Sequence, residues 1–520
     1  MISEGAAIAI VYVVLAVCMC VAGAAAFMTY KLQGAQQAEN AGDKGQQGSV
    51  DFWYSARGSQ GWVSLGLSFF ASSMGAWVLF AAPEVGVYNG WWGTLGYALA
   101  SALPFGFVAF LGPLIRRRFS DGFCLTDWVR QRFGRATQLY VAIISVFYMW
   151  VYLVAELISI GNLMVSTAGM DPLHALLPLS IFTLLYTTLA GLPASIWTDR
   201  LQGVIMIAFI VVAIIACFSD LRIASGKWEN VATWSDKGFE ALLTLVLAIL
   251  GAELFNMGNW QRVYAASDEV QLRKGCAFGA GLIFPTMMLF GIAGMLAEAQ
   301  DQSRPVSTMS LKFLAFFDLL ASQTGAIEGL VFALAVSMVA SSVDSLQTGL
   351  VSVLSKDILQ RDFTPKQTLA AGQVWLCLVN VTAIAVAWKG AKDPNVNTGV
   401  INLFLIADLL ALSIAMPVFM GLGALVTQTG ALAGCFSGLL VIMGFGWFEF
   451  GTFMAGLEMF TLMAFGNVMP TEVGLSASRT CILFFVLPVV TGAVAYVVSW
   501  MDHVSRSFSL DGSAAKEIDP

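Results

Sequence analysis

The chain has 520 residues, of which 58% are hydrophobic and 11% charged, with a mean hydropathy of +0.78. Soluble globular chains carry about 25% charged residues, so this composition excludes a soluble enzyme or binding module and points to a polytopic membrane protein. The net charge of −7 is thinly spread and the chain holds two histidines, which argues against a nucleic-acid partner and a histidine-based metal or catalytic centre.

The first apolar run, Ala6–Tyr30, has small residues near its end but no basic start. It is too long for a signal-peptide core and reads as a retained transmembrane helix. The polar stretch "QGAQQAENAGDKGQQGS" that follows reads as a flexible loop. Twelve further runs are long enough to cross a bilayer. They are Trp62–Tyr88, Trp92–Ile115, Leu139–Thr167, His174–Leu192, Leu201–Phe218, Ala241–Tyr264, Gly275–Leu296, Ile327–Val353, Leu369–Trp388, Val400–Leu422, Ala431–Trp447 and Ile482–Trp500. Glu449–Ser478 is apolar enough to lie along the interface or re-enter. The eight cysteines are scattered, mostly in apolar runs, and read as small buried hydrophobes rather than a disulfide framework.

An odd number of crossings puts the termini on opposite sides. With the N-terminus outside, 18 of the 26 Lys and Arg fall in inward loops, six of them in "RRRFSDGFCLTDWVRQRFGR". The positive-inside rule therefore expects the N-terminus outside and the C-terminus, with a tail of residues 501–520, in the cytoplasm; the expected location is the plasma membrane. The whole chain reads as one transmembrane domain.

Interruptions of the apolar pattern are the informative positions. The second run has Ser68, Ser72, Ser73 and Gly75 at its middle, then Pro83 and Glu84; the seventh has Gly251, Glu253, Asn256, Gly258 and Asn259. Such residues suit a helix that unwinds within the membrane and offers freed backbone groups to an ion or solute. The two weak points lie five runs apart, as expected if residues 62–218 and 241–422 are inverted repeats. In the ninth run, Ser337, Ser341, Ser345, Thr348 and Ser352 form one helical stripe flanked by Ser342 and Asp344. A single such serine can also serve helix packing or bond its own backbone. The adjacent pair Ser341–Ser342 beside Asp344 points rather to a site for Na⁺, with Asp344 as a possible proton or ion relay.

Glu156, Glu253, Asp344 and Asp408 fall within apolar runs, where a carboxylate costs ~2.5 kcal/mol or more unless it faces a cavity or partner. No lysine or arginine is expected within the spans to neutralise them. The surplus negative charge favours cations, protons or polar solutes with N–H donors. Trp77, Tyr148, Trp150, Tyr152 and Trp260 could stack on a small solute.

These residues resemble the sodium:solute symporter family, through "DFWYSARGS", "GLPASIWTDRLQGVIMI" (with Trp197, Thr198, Asp199 and Gln202), "NWQRVYAA" and "MVASSVDSLQTGLVSVLSKDI", closed by Asp357. The resemblance implies an all-α membrane protein with a five-plus-five inverted-repeat (leucine-transporter-like) core and about thirteen transmembrane helices, with 6–30 as an extra N-terminal helix and 431–500 as two C-terminal ones. It implies a Na⁺ site of the Ala71, Met74 and Met338 carbonyls with the Ser341 and Ser342 hydroxyls, and Asp199 as an ion gate. Some family members carry an aspartate where this chain has Ser73, which leaves H⁺ coupling open. Expected substrate residues are Ser72, Ser73, Trp77, Tyr152, Glu156, Glu253, Asn256, Asn259, Trp260 and Asp408. The expected activity is Na⁺-coupled uptake of a small polar nitrogen compound, urea-like by the flavour of "FNMGNWQRVYAASDEV". The alternatives are a proline-type amino acid, coupled to Na⁺ or H⁺, or a related amine; those of another class are a sensor or a channel. An enzyme is not expected.

Overall fold

The computed structural model of the protein describes residues 3–39, 51–219, 221, 223–300, 314–320, 325–358, 364–392, 400–462 and 473–514, with the side chains of 25–26, 28–39, 365 and 506–514 left aside. Every named element among them is a helix. In chain order these are α1 (Glu4–Glu39), α2 (Trp62–Ser73), α3 (Ala81–Arg118), α4 (Leu125–Leu163), α5 (Leu173–Ser219), α6 (Lys227–Val231), α7 (Asp236–Glu253) and α8 (Met257–Ala265). Then follow α9 (Glu269–Ala299), α10 (Ala315–Leu320), α11 (Gly325–Val353), α12 (Pro365–Lys392), α13 (Val400–Phe419), α14 (Gln428–Phe450), α15 (Phe453–Glu458) and α16 (Ser478–Ala514).

Ten of the described helices are long and apolar enough to cross a membrane, or eleven when α7 and α8, bent by 58°, count as one span. The thirteen apolar runs do not become thirteen separate helices. The 38 residues of α3 and the 47 of α5 each cover more than one run, because a single glycine bends the helix where the sequence suggests a connection. At ~1.5 Å per residue, α5 is about twice as long as a ~30 Å hydrocarbon core. It turns at Gly191, with φ 62° and ψ −151°. Only glycine adopts that conformation freely, and a Cβ there would lie 2.4 Å from the Trp53 carbonyl oxygen. Gly90 breaks α3 in the same manner, with φ 56° and ψ −142°.

Three other boundaries differ from expectation. Helix α1 continues through Gln33–Glu39, into the stretch whose composition suggests a loop, while 40–50 lie outside the described residues. Helix α16 continues to Ala514, so most of the expected C-terminal tail is helical. The segment after Glu449 forms α15 and a short turn at Met459–Thr461, and 463–472 lie outside the described residues.

Helices α4, α11 and α13 are innermost, with 72%, 67% and 72% of their apolar windows buried, against 28% for α1 and 22% for α12. That ranking matters for function, because polar residues of the interior sit on α4, α11, α13 and the two interrupted helices packed on them, joined by those around Asp199 on α5.

Candidate functional site

Both interruptions read from the sequence are present. Helix α2 stops at Ser73, passes through Met74 and Gly75 in non-helical backbone, and resumes as a tight turn at Ala76–Leu79. Ala76 N donates to Glu156 Oε2 at 3.1 Å. A Cβ on Gly75 would fall 1.6 Å from Glu156 Oε1, so the missing side chain is what admits the carboxylate to the freed backbone end. Helix α7 stops at Glu253 and α8 begins at Met257, where Asn256 Oδ1 accepts from Gly258 N at 3.1 Å as the N-cap. Asn256 Nδ2 and Asn259 Nδ2 donate to Glu253 Oε2 at 3.2 and 2.9 Å.

One face of α4 meets both breaks. Tyr148, Tyr152 and Glu156 follow at steps of four and so share a stripe. Tyr148 OH donates to Glu253 Oε1 at 2.9 Å, and Tyr152 OH to Asp408 Oδ1 of α13 at 2.9 Å. Aromatic rings pack beside these groups. Tyr148 and Tyr152 are 4.4 Å apart between centroids, Tyr152 and Phe404 4.4 Å, Phe404 and Trp77 5.5 Å, and Trp77 and Tyr97 5.5 Å. Trp77, Tyr152, Glu156, Glu253, Asn256, Asn259 and Asp408 are thus brought together around α4.

Three expected substrate residues are placed differently. Trp260 is fully buried and its indole N–H is spent on the Leu254 carbonyl at 2.7 Å, which satisfies a carbonyl at the end of α7 and leaves no face for a solute. Ser72 Oγ turns back to Phe69 O at 3.3 Å on its own helix. Ser73 is the half-buried last residue of α2. Tyr97 and Phe404 join the aromatic lining without any signal in the sequence, since each is an ordinary aromatic inside an apolar run.

The hydroxyl stripe of α11 is buried throughout, and its members divide. Thr348 and Ser352 bond carbonyls of their own helix, at Ser345 O and Gly349 O. Ser341 Oγ reaches across to Asp199 Oδ1 at 2.6 Å, and Ser345 Oγ to Asp344 Oδ1 at 3.1 Å. Ser342 Oγ lies 3.1 Å from Met338 O and 3.2 Å from Val339 O, and also engages Glu156. Glu156 therefore links the end of α2, after Ala71 and Met74, to the Ser341–Ser342 pair. Met74 N donates to Ala71 O at 3.3 Å and to Phe70 O at 3.1 Å, a stretched, shared bond that leaves the Ala71 carbonyl with acceptor capacity.

The expectation that no cation lies within the spans is corrected. Arg262 of α8 is fully buried, with Nη2 at 2.7 Å from Asp199 Oδ2. Ser68 Oγ donates to the same oxygen at 2.5 Å and accepts from Arg262 Nε at 2.6 Å. Arg262 also donates to Ser345 Oγ at 2.7 Å and Gly258 O at 2.9 Å. Asp344 stands beside this pair without a cation of its own. Its carboxylate accepts from Ser195, Tyr186, Thr198 and Ser345 at 2.8, 2.7, 3.1 and 3.1 Å. One connected polar network thus joins α2, α5, α8 and α11, which a relative movement of these helices must break or remake.

Comparison with known proteins gives the family and the fold. Residues 53–438 match the sodium:solute symporter family. The chain is 29% identical over 370 residues to the spermidine transporter DUR31 of Candida albicans, covering 71% of this chain and 69% of that one. It is 25% identical over 411 residues to the sodium/proline symporter of Escherichia coli, covering 74% and 80%. Its fold is similar to that of a Na⁺-coupled sialic acid symporter solved in a substrate-bound outward-open state, with a TM-score of 0.71 and 15% identity over 95% of this chain and 97% of that one. The chain belongs to the sodium:solute symporter family, and is accordingly a Na⁺-coupled membrane carrier of a small polar solute and not an enzyme.

Proposed function

We propose that the protein moves a small solute bearing a protonated nitrogen inward with Na⁺, by alternating access around the chamber beside α4. The observation that carries this reading is the sign of the chamber's charge. Its ionisable side chains are Glu156, Glu253 and Asp408, and the nearby Arg262 is spent on Asp199. An uncharged urea-like solute leaves that charge unbalanced, so the urea-like reading gives way. The relatives favour a proline-type amino acid over it, and proline and spermidine share a protonated amino nitrogen.

In this reading Na⁺ is held by the Ala71, Met74 and Met338 carbonyls with the Ser341 and Ser342 hydroxyls. Asp199, locked to Arg262, is the gate, and Asp344 is the position where a proton or second ion would enter the cycle. Dividing α3 at Gly90 and α5 at Gly191, and counting each broken helix as one crossing, gives thirteen spans with a five-plus-five core. The distribution of Lys and Arg supports an outside N-terminus.

The test is uptake into proteoliposomes of labelled proline, spermidine and urea, under an imposed Na⁺ gradient and then under a pH gradient alone. The expected result is Na⁺-driven accumulation of an amino-nitrogen cation and none of urea. Accumulation of urea alone overturns the substrate reading, and accumulation driven by pH alone overturns the Na⁺ assignment.

A further inference from the structure

We propose that the chamber is a two-carboxylate site for a linear diamine-type cation, in which Asp408 takes one ammonium group, Glu253 takes the other, and the methylene linker lies along the Tyr148 and Tyr152 rings. The proposal rests on the reading above, that the solute carries a protonated nitrogen, and deepens it by requiring a second one.

Asp408 carries the argument. It is fully buried on α13; Oδ1 accepts from Tyr152 OH at 2.9 Å, and Oδ2 has no hydrogen-bond partner among the described residues. A buried ionised carboxylate oxygen without a donor is costly, and a donor supplied from outside the chain relieves that cost. An ammonium group supplies both the donor and the opposite charge.

Glu253 differs in kind. Its oxygens accept from three neutral donors, Tyr148 at Oε1 and Asn256 and Asn259 at Oε2, which hold it in place without cancelling its charge and leave Oε1 able to accept a further donor. The two carboxylates are close enough for their charges to act on each other. Arg262 cannot relieve them, being turned to Asp199, Ser68, Ser345 and Gly258. With Glu156 engaged by Ala76 N and Ser342, a monocation would leave one of Asp408 and Glu253 uncompensated, and a zwitterion would bring a further carboxylate beside them. A dication balances the pair.

The side chains that present the two ends suit a hydrocarbon linker. Each carboxylate is presented by the hydroxyl of a tyrosine, and the two tyrosines are one helical turn apart on α4, with centroids separated by 4.4 Å. Phe404 and Trp77 continue the aromatic wall. Ring faces accept methylene groups and attract ammonium groups. The two tyrosines, tilted by 47° to each other, each hold one carboxylate from the same helix, so one linker length should be preferred over its neighbours.

The experiment measures Na⁺-driven uptake of labelled 1,3-diaminopropane, putrescine, cadaverine and spermidine by the purified full chain in proteoliposomes, with proline, urea and unlabelled butylamine as comparators. The expected result is accumulation of at least one diamine with an optimum in linker length, and competition by butylamine at least about tenfold weaker than by the best diamine. Asp408→Asn should abolish that preference, so that butylamine and the best diamine compete equally. Tyr152→Phe, which keeps the charge of Asp408, should weaken affinity and retain the preference. Thermal stability and membrane abundance are followed in parallel, so that a folding defect in Asp408→Asn shifts the decision to Glu253→Gln and Tyr152→Phe. Na⁺-driven uptake of proline with no transport of, or competition by, any diamine overturns the diamine site and leaves the proposed function standing. Uptake of urea alone, or of none of these compounds, overturns both.

Discussion

Arg262 Nη2 lies 2.7 Å from Asp199 Oδ2, and neither side chain has any exposed surface. The pair joins α8, just after the second helix break, to α5, and Asp199 also accepts from Ser341 and Ser68. Removing one partner of a buried pair costs about 3–5 kcal/mol, because the other charge is left alone. Arg262→Met should therefore sharply reduce the amount of folded protein in the membrane. Asp199→Asn combined with Arg262→Met should restore abundance, since no charge is stranded, but not Na⁺-driven uptake. Quantitative blotting of membranes beside an uptake assay separates the two effects. Normal transport by the double variant would remove the pair from the mechanism.

Ser341 and Ser342 are proposed to share one ion but are held differently in the structure. Ser341 points at Asp199, whereas Ser342 rests on its own helix and on Glu156. Ser341→Ala and Ser342→Ala should each raise the half-saturating Na⁺ concentration about tenfold, the worth of ~1.4 kcal/mol, with abundance unchanged. Kinetics of uptake against Na⁺ concentration decide it. An unaltered Na⁺ dependence in both variants would place the ion elsewhere.

The interrupted helices were legible because glycine and hydroxyl or amide residues stand out against an apolar background, as at Ser72–Gly75 and Glu253–Asn259. The number of separate helices was less so. A single glycine such as Gly191 turns the chain without breaking the run of apolar residues around it, so spacing alone cannot say whether two runs become one helix. Arg262 escaped because it lies at the end of a run, where a basic residue usually marks the exit into water. Its partner Asp199 is 63 residues away, on another helix. Trp260 was misread for a related reason: a tryptophan beside a helix break can face a solute or close the break, and which it does depends on a carbonyl, at Leu254, that no side-chain pattern reveals.

Asp171, in the connection between α4 and α5, bears on how pH profiles should be interpreted. Its Oδ2 is 2.5 Å from Lys392 Nζ at the end of α12, and its Oδ1 accepts from Trp388 Nε1 at 3.1 Å. The bond to Lys392 holds the Asp171 carboxyl below the usual carboxylate range. A carboxyl with a depressed pKa contributes its interaction above its unfolded value of about 3.9 and loses it as pH falls through the lowered one. The latch is therefore constant from about pH 5 to about pH 8. Lys392→Met should leave the shape of the uptake profile over that interval unchanged. A shifted profile in that variant would show that the latch feels a second titrating group.

Gly75 offers the sharpest test of the first helix break. Its backbone is extended, with φ −78° and ψ 173°, which other residues adopt without strain, so any effect of substitution comes from space alone. A Cβ at this position would meet Glu156 Oε1 at 1.6 Å and Oε2 at 2.4 Å. Gly75→Ala must therefore push the carboxylate off Ala76 N and away from Ser342, separating the end of α2 from the hydroxyl pair on α11. Uptake should fall by at least about tenfold and the half-saturating Na⁺ concentration should rise. Glu156→Ala in the same background removes the clash, so the double variant should recover abundance lost through misfolding while remaining weak in Na⁺ coupling. If Gly75→Ala instead transports normally, the carboxylate has room to move aside, and the link between the break and the Ser341–Ser342 pair is not needed for coupling.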